Sequence, residues 1–217
     1  MLGGAGALAM MVGVREAGAE PEGQGGPRPL LALPSGPLLL VGLVAFAVSM
    51  GEGAITDWSA LFLRGAVGAT EAQAALGYAA FSATMVLMRL SGGWVVDRLG
   101  PVATTRASGG IAFAGLVVAL TTDVLGVALA GFALVGIGYA VVMPLVFSRA
   151  ASDPVLRPGP AIASVATLGY GGMLLGPPVI GFIAQATSLR TSFGVLALLA
   201  VLAVILAPSL RTPQERA

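Results

Sequence analysis

Glu52 stands out by its position. It lies near the middle of an otherwise apolar stretch, roughly residues 37–63, with a glycine on either side. A carboxylate at that depth in hydrocarbon is costly and marks a pathway or a proton site. Its chemistry would be hydrogen bonding to a polar solute, or the binding and release of a proton. The plainer alternative is a carboxylate satisfied by a neighbouring helix. At about 100° per residue, Ser49, Glu52, Thr56 and Ser59 fall on one narrow polar stripe suited to a central pathway. Gly51 and Gly53 predict a break in the helix at the carboxylate. Asp57 points about 140° away from Glu52. Together with Trp58 it reads as a gate or structural residue near a membrane interface. Tyr139 and Met143, four apart beside Gly136 and Gly138, offer a hydroxyl and a soft apolar surface, or simply pack. Tyr170 is a further candidate, and Gln73, Tyr78 and Gln185 are weaker ones. Arg89 is expected to snorkel or to pair with Asp97.

Other chemistries lack their residues. The chain contains no His and no Cys, which removes serine–histidine triads, thiolate nucleophiles, disulfides and His- or Cys-ligated metals. There is no metal constellation and no phosphate-binding loop, so neither a metal nor a cofactor is expected. No catalytic pair points to an enzyme. The formal net charge of +1 predicts no nucleic-acid partner.

The elements that must hold these residues are membrane spans. Of 217 residues 57% are hydrophobic and 10% charged, and the mean hydropathy is +0.94. A soluble domain is about a quarter charged. About 20 apolar residues cross a bilayer as a helix. The charge-poor runs give six spans, near 37–63, 72–95, 104–122, 124–147, 160–186 and 192–210. They are too long and too uniform for barrel strands. The expected fold class is an all-α membrane protein with a six-transmembrane-helix bundle at 37–210, and the bilayer is its first partner. Residues 1–14 are apolar but short for a span. They read as the remnant of a preceding helix, since no basic stretch precedes them as in a signal peptide. Residues 15–36 are rich in Gly and Pro and read as a linker, and 211–217 as a tail.

All eleven basic residues are arginine. With the first span running outward, nine fall in inner segments, and Arg64 and Arg190 fall outside. Positive residues favour the cytoplasm, so the linker and the C-terminus are expected on the cytoplasmic side of a cell membrane.

The turn after the second span reads GGWVVDRLGPVATTR. Gly93, Asp97, Arg98 and Gly100 keep the frame G-x-x-x-D-R-x-G. Gly93 would let a neighbouring helix approach, Asp97 would pair across the bundle, and Gly100 would permit a tight turn. Later, ATLGYGGMLLGPPVIGFIA places Gly172 and Gly176 on a close-packing face, with Pro177, Pro178 and Gly181 at a bend. These motifs resemble those of the major facilitator superfamily, specifically bacterial members similar to sugar permeases. Pro101 departs from the basic residue usual after the signature glycine. The resemblance implies secondary transport of a small solute by alternating access, driven by a proton or solute gradient, in a twelve-helix protein of two halves. The order of helices, with a partial helix and linker first, resembles the C-terminal half. The missing N-terminal half would then be a partner. The alternatives are a half-size transporter acting as a dimer, or a membrane scaffold.

Overall fold

The computed structural model describes residues 33–211, Ser35 excepted. The expectations for 1–14, for nearly all of the linker 15–36 and for 212–217 lie outside the described residues. Every regular element described is helical. α1 is Pro37–Val67. A 51-residue helical stretch, Glu71–Thr121, follows, with Gly100 at φ 75° and ψ 164° inside it. A straight helix of that length would reach about 75 Å, far beyond a bilayer. Gly100 divides it into α2 (71–99) and α3 (101–121). Then come α4 (Leu125–Tyr139), α5 (Val142–Ala151), α6 (Pro158–Ala186), α7 (Leu189–Leu206) and a 3-10 turn, Ala207–Leu210. α4 and α5 form one span interrupted at residues 140–141. The six expected spans are all present, shifted by a few residues at their ends.

The neighbours of α4 prove that the chain reverses at Gly100. Thr84 donates to the carbonyl of Ala133, and Arg89 to that of Ala140, so α2 and α4 rise together. Gly115 lies against Gly131, and Ser108 against Gly138, so α3 and α4 run in opposite directions. A positive φ costs glycine least, and Pro101 suits the first turn of α3 because its missing N–H has no helical partner there. α1 and α6 are parallel: Gly172 meets the carbonyl of Phe46, and Gly176 that of Met50.

Two clusters tie the helices at the α1–α2 end. The rings of Phe62, Phe132 and Phe193, from α1, α4 and α7, are fully buried, with centroids 4.9–6.3 Å apart. Arg190 donates to the carbonyls of Leu120, Ala66 and Thr122 and pairs with Asp123, closing the ends of α1 and α3 onto α7. At the opposite end, Arg149 is buried rather than free in a loop, with its Nη1 3.5 Å from an Asp153 oxygen. The Asp153 carboxylate also accepts the amides of Val155 and Leu156 at 3.0 and 3.1 Å. Burial alone would raise its pKa. The two amides and Arg149 outweigh that and hold it below the usual carboxylate value.

Gly136 and Gly138 set how closely α4 seats. A Cβ on Gly138 would lie 2.6 Å from the Ser108 carbonyl oxygen, which is backbone and cannot swing away. Gly138→Ala should cost about 1–3 kcal/mol. Gly110→Ala, at a helical site with nothing within 4 Å, should be neutral or gain up to about 1 kcal/mol. Thermal unfolding in detergent measures both. The Asp153 contacts make a second prediction. A depressed pKa stabilises the fold at pH values above the unfolded value of about 3.9, and the gain is lost as pH falls through the folded value. Asp153→Asn should therefore lower the melting temperature at pH 7, and the gap to wild type should close on acidification.

Candidate functional site

The groove between α1 and α6 is made by what the helices lack. Gly53 has no side chain, so its Cα sits beside the Met173 carbonyl; a Cβ there would lie 2.6 Å from that oxygen. Pro177 has no N–H to offer the same carbonyl four residues back. Trp58 locks the other end of the contact. Its indole lies on Gly181, and its Nε1 donates to the Pro177 carbonyl at 3.0 Å. Trp58 thus ties α1 to α6. α6 stays helical across Pro177 and Pro178.

Two adjoining cavities open along this groove. One, of about 180 Å³, is lined by Ser49, Glu52, Met143, Phe147, Tyr170 and Met173, among others. The other, of about 550 Å³, is lined by Gly53, Thr56, Asp57, Tyr170, Met173 and Pro177, with Leu174. Tyr170 and Met173 belong to both. Glu52, Thr56, Asp57, Met143 and Tyr170, singled out on separate grounds, therefore border one continuous region. Asp57 keeps its turn of about 140° from Glu52 on the continuous α1 and lines the second cavity only, beside Gly53 and Thr56.

Other expectations are corrected. The helix is not broken at Glu52: α1 is continuous, and Gly51 instead makes room for the Tyr139 ring, whose hydroxyl would lie 2.4 Å from a Cβ there. Tyr139 is buried, lines neither cavity, and has no hydrogen-bond partner for its hydroxyl among the described residues. Ser59 leaves the polar stripe. It is fully buried, and its Cβ lies near Gly77 of α2. Thr56 donates back to the Glu52 carbonyl at 2.8 Å. Gln73 forms a capping box with Thr70 at the start of α2 and lines neither of the two cavities. Tyr78 and Gln185 are exposed away from the groove.

Arg89 and the signature loop also differ from expectation. The Arg89 Nη2 lies 3.9 Å from a Glu52 oxygen, and its Nε donates to the Ala140 carbonyl at 3.3 Å. It neither snorkels nor pairs with Asp97. Asp97 is exposed and has no ion-pair partner among the described residues, while Arg98 lies over the Trp94 ring, 4.2 Å from its centre. A Cβ on Gly93 would meet no other group within 4 Å; the close approach is made by Gly92, against Val141. Gly92 and Gly93 point about 100° apart on α2, so only one of them can face Val141, between α4 and α5. Sequence spacing contained no signal for the Glu52–Arg89 pair, because it depends on the register between α1 and α2.

The fold and motifs agree with known relatives. The family model described as Major Facilitator Superfamily matches residues 1–155. The chain belongs to the major facilitator superfamily. It is 48% identical over 181 residues to an uncharacterised transporter of Sinorhizobium fredii, covering 83% of this chain and 48% of the relative. It is 39% identical over 171 residues to an uncharacterised MFS-type transporter of Yersinia pestis, covering 79% and 44%. It is 40% identical over 152 residues to the membrane protein MosC of Rhizobium meliloti, covering 70% and 37%. The chain thus spans less than half the length of these relatives. Among solved structures, the Escherichia coli fucose:proton symporter superposes with a TM-score of 0.71 at 20% identity, covering 82% of this chain and 43% of that one. A peptide transporter superposes at 0.68 and 18% identity, covering 79% and 37%. The superfamily bundle with five apolar helical stretches, one doubled at Gly100 and one interrupted at residues 140–141, makes this a multi-pass membrane protein.

The Trp58 lock is open to a clean test. Trp58→Phe keeps a ring against Gly181 and removes the donor to Pro177. The expected cost is about 0.5–1.5 kcal/mol, read as a lower melting temperature in detergent, and Trp58→Ala should cost more.

Proposed function

We propose that the chain is the C-terminal half of a secondary transporter that moves a small solute by alternating access against an N-terminal six-helix half. The observation that carries this reading is the place of Glu52. A carboxylate midway along a span borders a cavity between three helices, and a cation from a fourth element faces it at 3.9 Å. Such a group is expensive in hydrocarbon and is retained where a solute or ion passes. Tyr170, Thr56 and Asp57 add hydrogen-bonding groups to an otherwise apolar lining, as expected of a small-solute site.

Glu52 is then the coupling carboxylate. Proton coupling has a precedent in this fold, where the fucose:proton symporter is a structural relative. Arg98, Arg106, Arg157 and Arg211 gather at the end of the bundle where α1 begins, against Arg64 and Arg190 at the other. The positive-inside rule puts the former end in the cytoplasm, in a bacterial inner membrane.

The test is uptake by the full-length protein, measured over a range of pH with and without Glu52→Gln. A coupling carboxylate predicts that gradient-driven uptake falls at least tenfold and loses its pH dependence, while solute exchange survives. Unchanged pH dependence in the variant would sink the role.

A further inference from the structure

The fourth span is interrupted at Ala140 and Val141, between α4 and α5. Pro144 explains the gap. It sits four residues after Ala140 and has no N–H, so the Ala140 carbonyl loses its helical donor. In a membrane interior a carbonyl without a donor is costly. Arg89 supplies the donor from α2, its Nε at 3.3 Å. The same guanidinium faces Glu52 of α1 at 3.9 Å. One side chain therefore holds both the break in one helix and the carboxylate of another.

We propose that Arg89 is a positioning residue that links the charge of Glu52 to the bend of the fourth span. With Glu52 ionised, the ion pair keeps Arg89 seated on the Ala140 carbonyl. When the carboxylate takes up a proton, the attraction ends and the guanidinium is free to leave. It has somewhere to go: Arg89 also borders a groove of about 330 Å³ that contains Asp97, Gly92, Gly93 and Pro144. The Ala140 carbonyl then loses its donor, and α5 changes its angle to α4. Met143 and Phe147 of α5 line the Glu52 cavity, so the bend alters that cavity. The titratable or charged groups facing Glu52, among the described residues, are Arg89 from α2, Tyr139 from α4 and Tyr170 from α6, with Asp57 in the adjoining cavity. α5 contributes none there. Arg89 is the one cation of this set.

This inference rests on the reading of Glu52 as a protonatable pathway residue, but its test measures shape rather than uptake. The two readings therefore fail separately. The chain has no cysteine, so spin labels can be placed at Val127→Cys in α4 and Ser152→Cys just beyond α5, both at exposed positions. Label-to-label distances are measured in the full-length protein in lipid nanodiscs. Glu52→Gln and Arg89→Gln should each shift the main distance in the same way, and the double variant should shift it no further. Pro144→Ala restores an N–H for the Ala140 carbonyl, and in that background Glu52→Gln should shift nothing. Acidifying the unsubstituted labelled protein should produce the Glu52→Gln distance, which keeps the test valid even where a variant fails to fold. Distances that ignore Glu52→Gln and acid overturn the proposal. So does a Glu52→Gln shift that persists with Pro144→Ala.

Discussion

Helices in hydrocarbon gain little from burying leucine against leucine, because lipid is as apolar as the neighbouring helix. What they gain is close packing, and that depends on how near two backbones can come. In this bundle the nearest approaches are made by glycine. Gly172 and Gly176 bring α6 onto the carbonyls of Phe46 and Met50, Gly53 returns the contact against Met173, and Gly115 and Gly131 do the same between α3 and α4. Everything else in the site inherits these seats. The groove beside Glu52 has its width because α1 and α6 meet backbone to backbone on one side, leaving Tyr170 and Met173 to line the other.

Proline plays the complementary part. Each internal proline withholds one N–H and frees a carbonyl four residues earlier, which must find another neighbour. Pro177 frees Met173, whose carbonyl rests against Gly53. Pro144 frees Ala140, whose carbonyl takes Arg89. In both cases the vacancy becomes a contact between different helices. Part of the polar wiring of the bundle is thus set by missing groups, with the side chain of Arg89 reaching into the place that one of those gaps creates.

Much of the fold was legible in the sequence, for plain reasons. Span length is fixed by bilayer thickness, and charges fall where spans end, so six helices could be counted with errors of a few residues. Gly100 could be assigned its turn because a positive φ selects glycine. The candidate site was half legible. Helical spacing put Glu52 and Thr56 on one face, yet it also put Ser59 there. Spacing describes one helix and carries no knowledge of α2, against which Ser59 is buried. The Glu52 partner was illegible for the same reason. Arg89 is 37 positions away, and its reach to Glu52 depends on antiparallel register, which no local pattern encodes. Gly92 and Gly93 were indistinguishable by type, and a 100° turn of the helix decides which of them touches Val141.

The exposure of the Glu52–Arg89 pair fits this picture. The two side chains retain 27% and 45% of their accessible surface. A fully buried pair must recover a large desolvation cost from geometry alone, and a separation of 3.9 Å is too loose for that. A fully solvated pair would contribute little and hold nothing in place. At the edge of a cavity the pair keeps part of its surface accessible, while its apolar surroundings keep the attraction stronger than in bulk water. The intermediate setting suits a pair that must separate and re-form. Where Arg89 also carries the only donor to the Ala140 carbonyl among the described residues, each separation is felt in the backbone of the fourth span, and a local charge becomes a change in helix geometry.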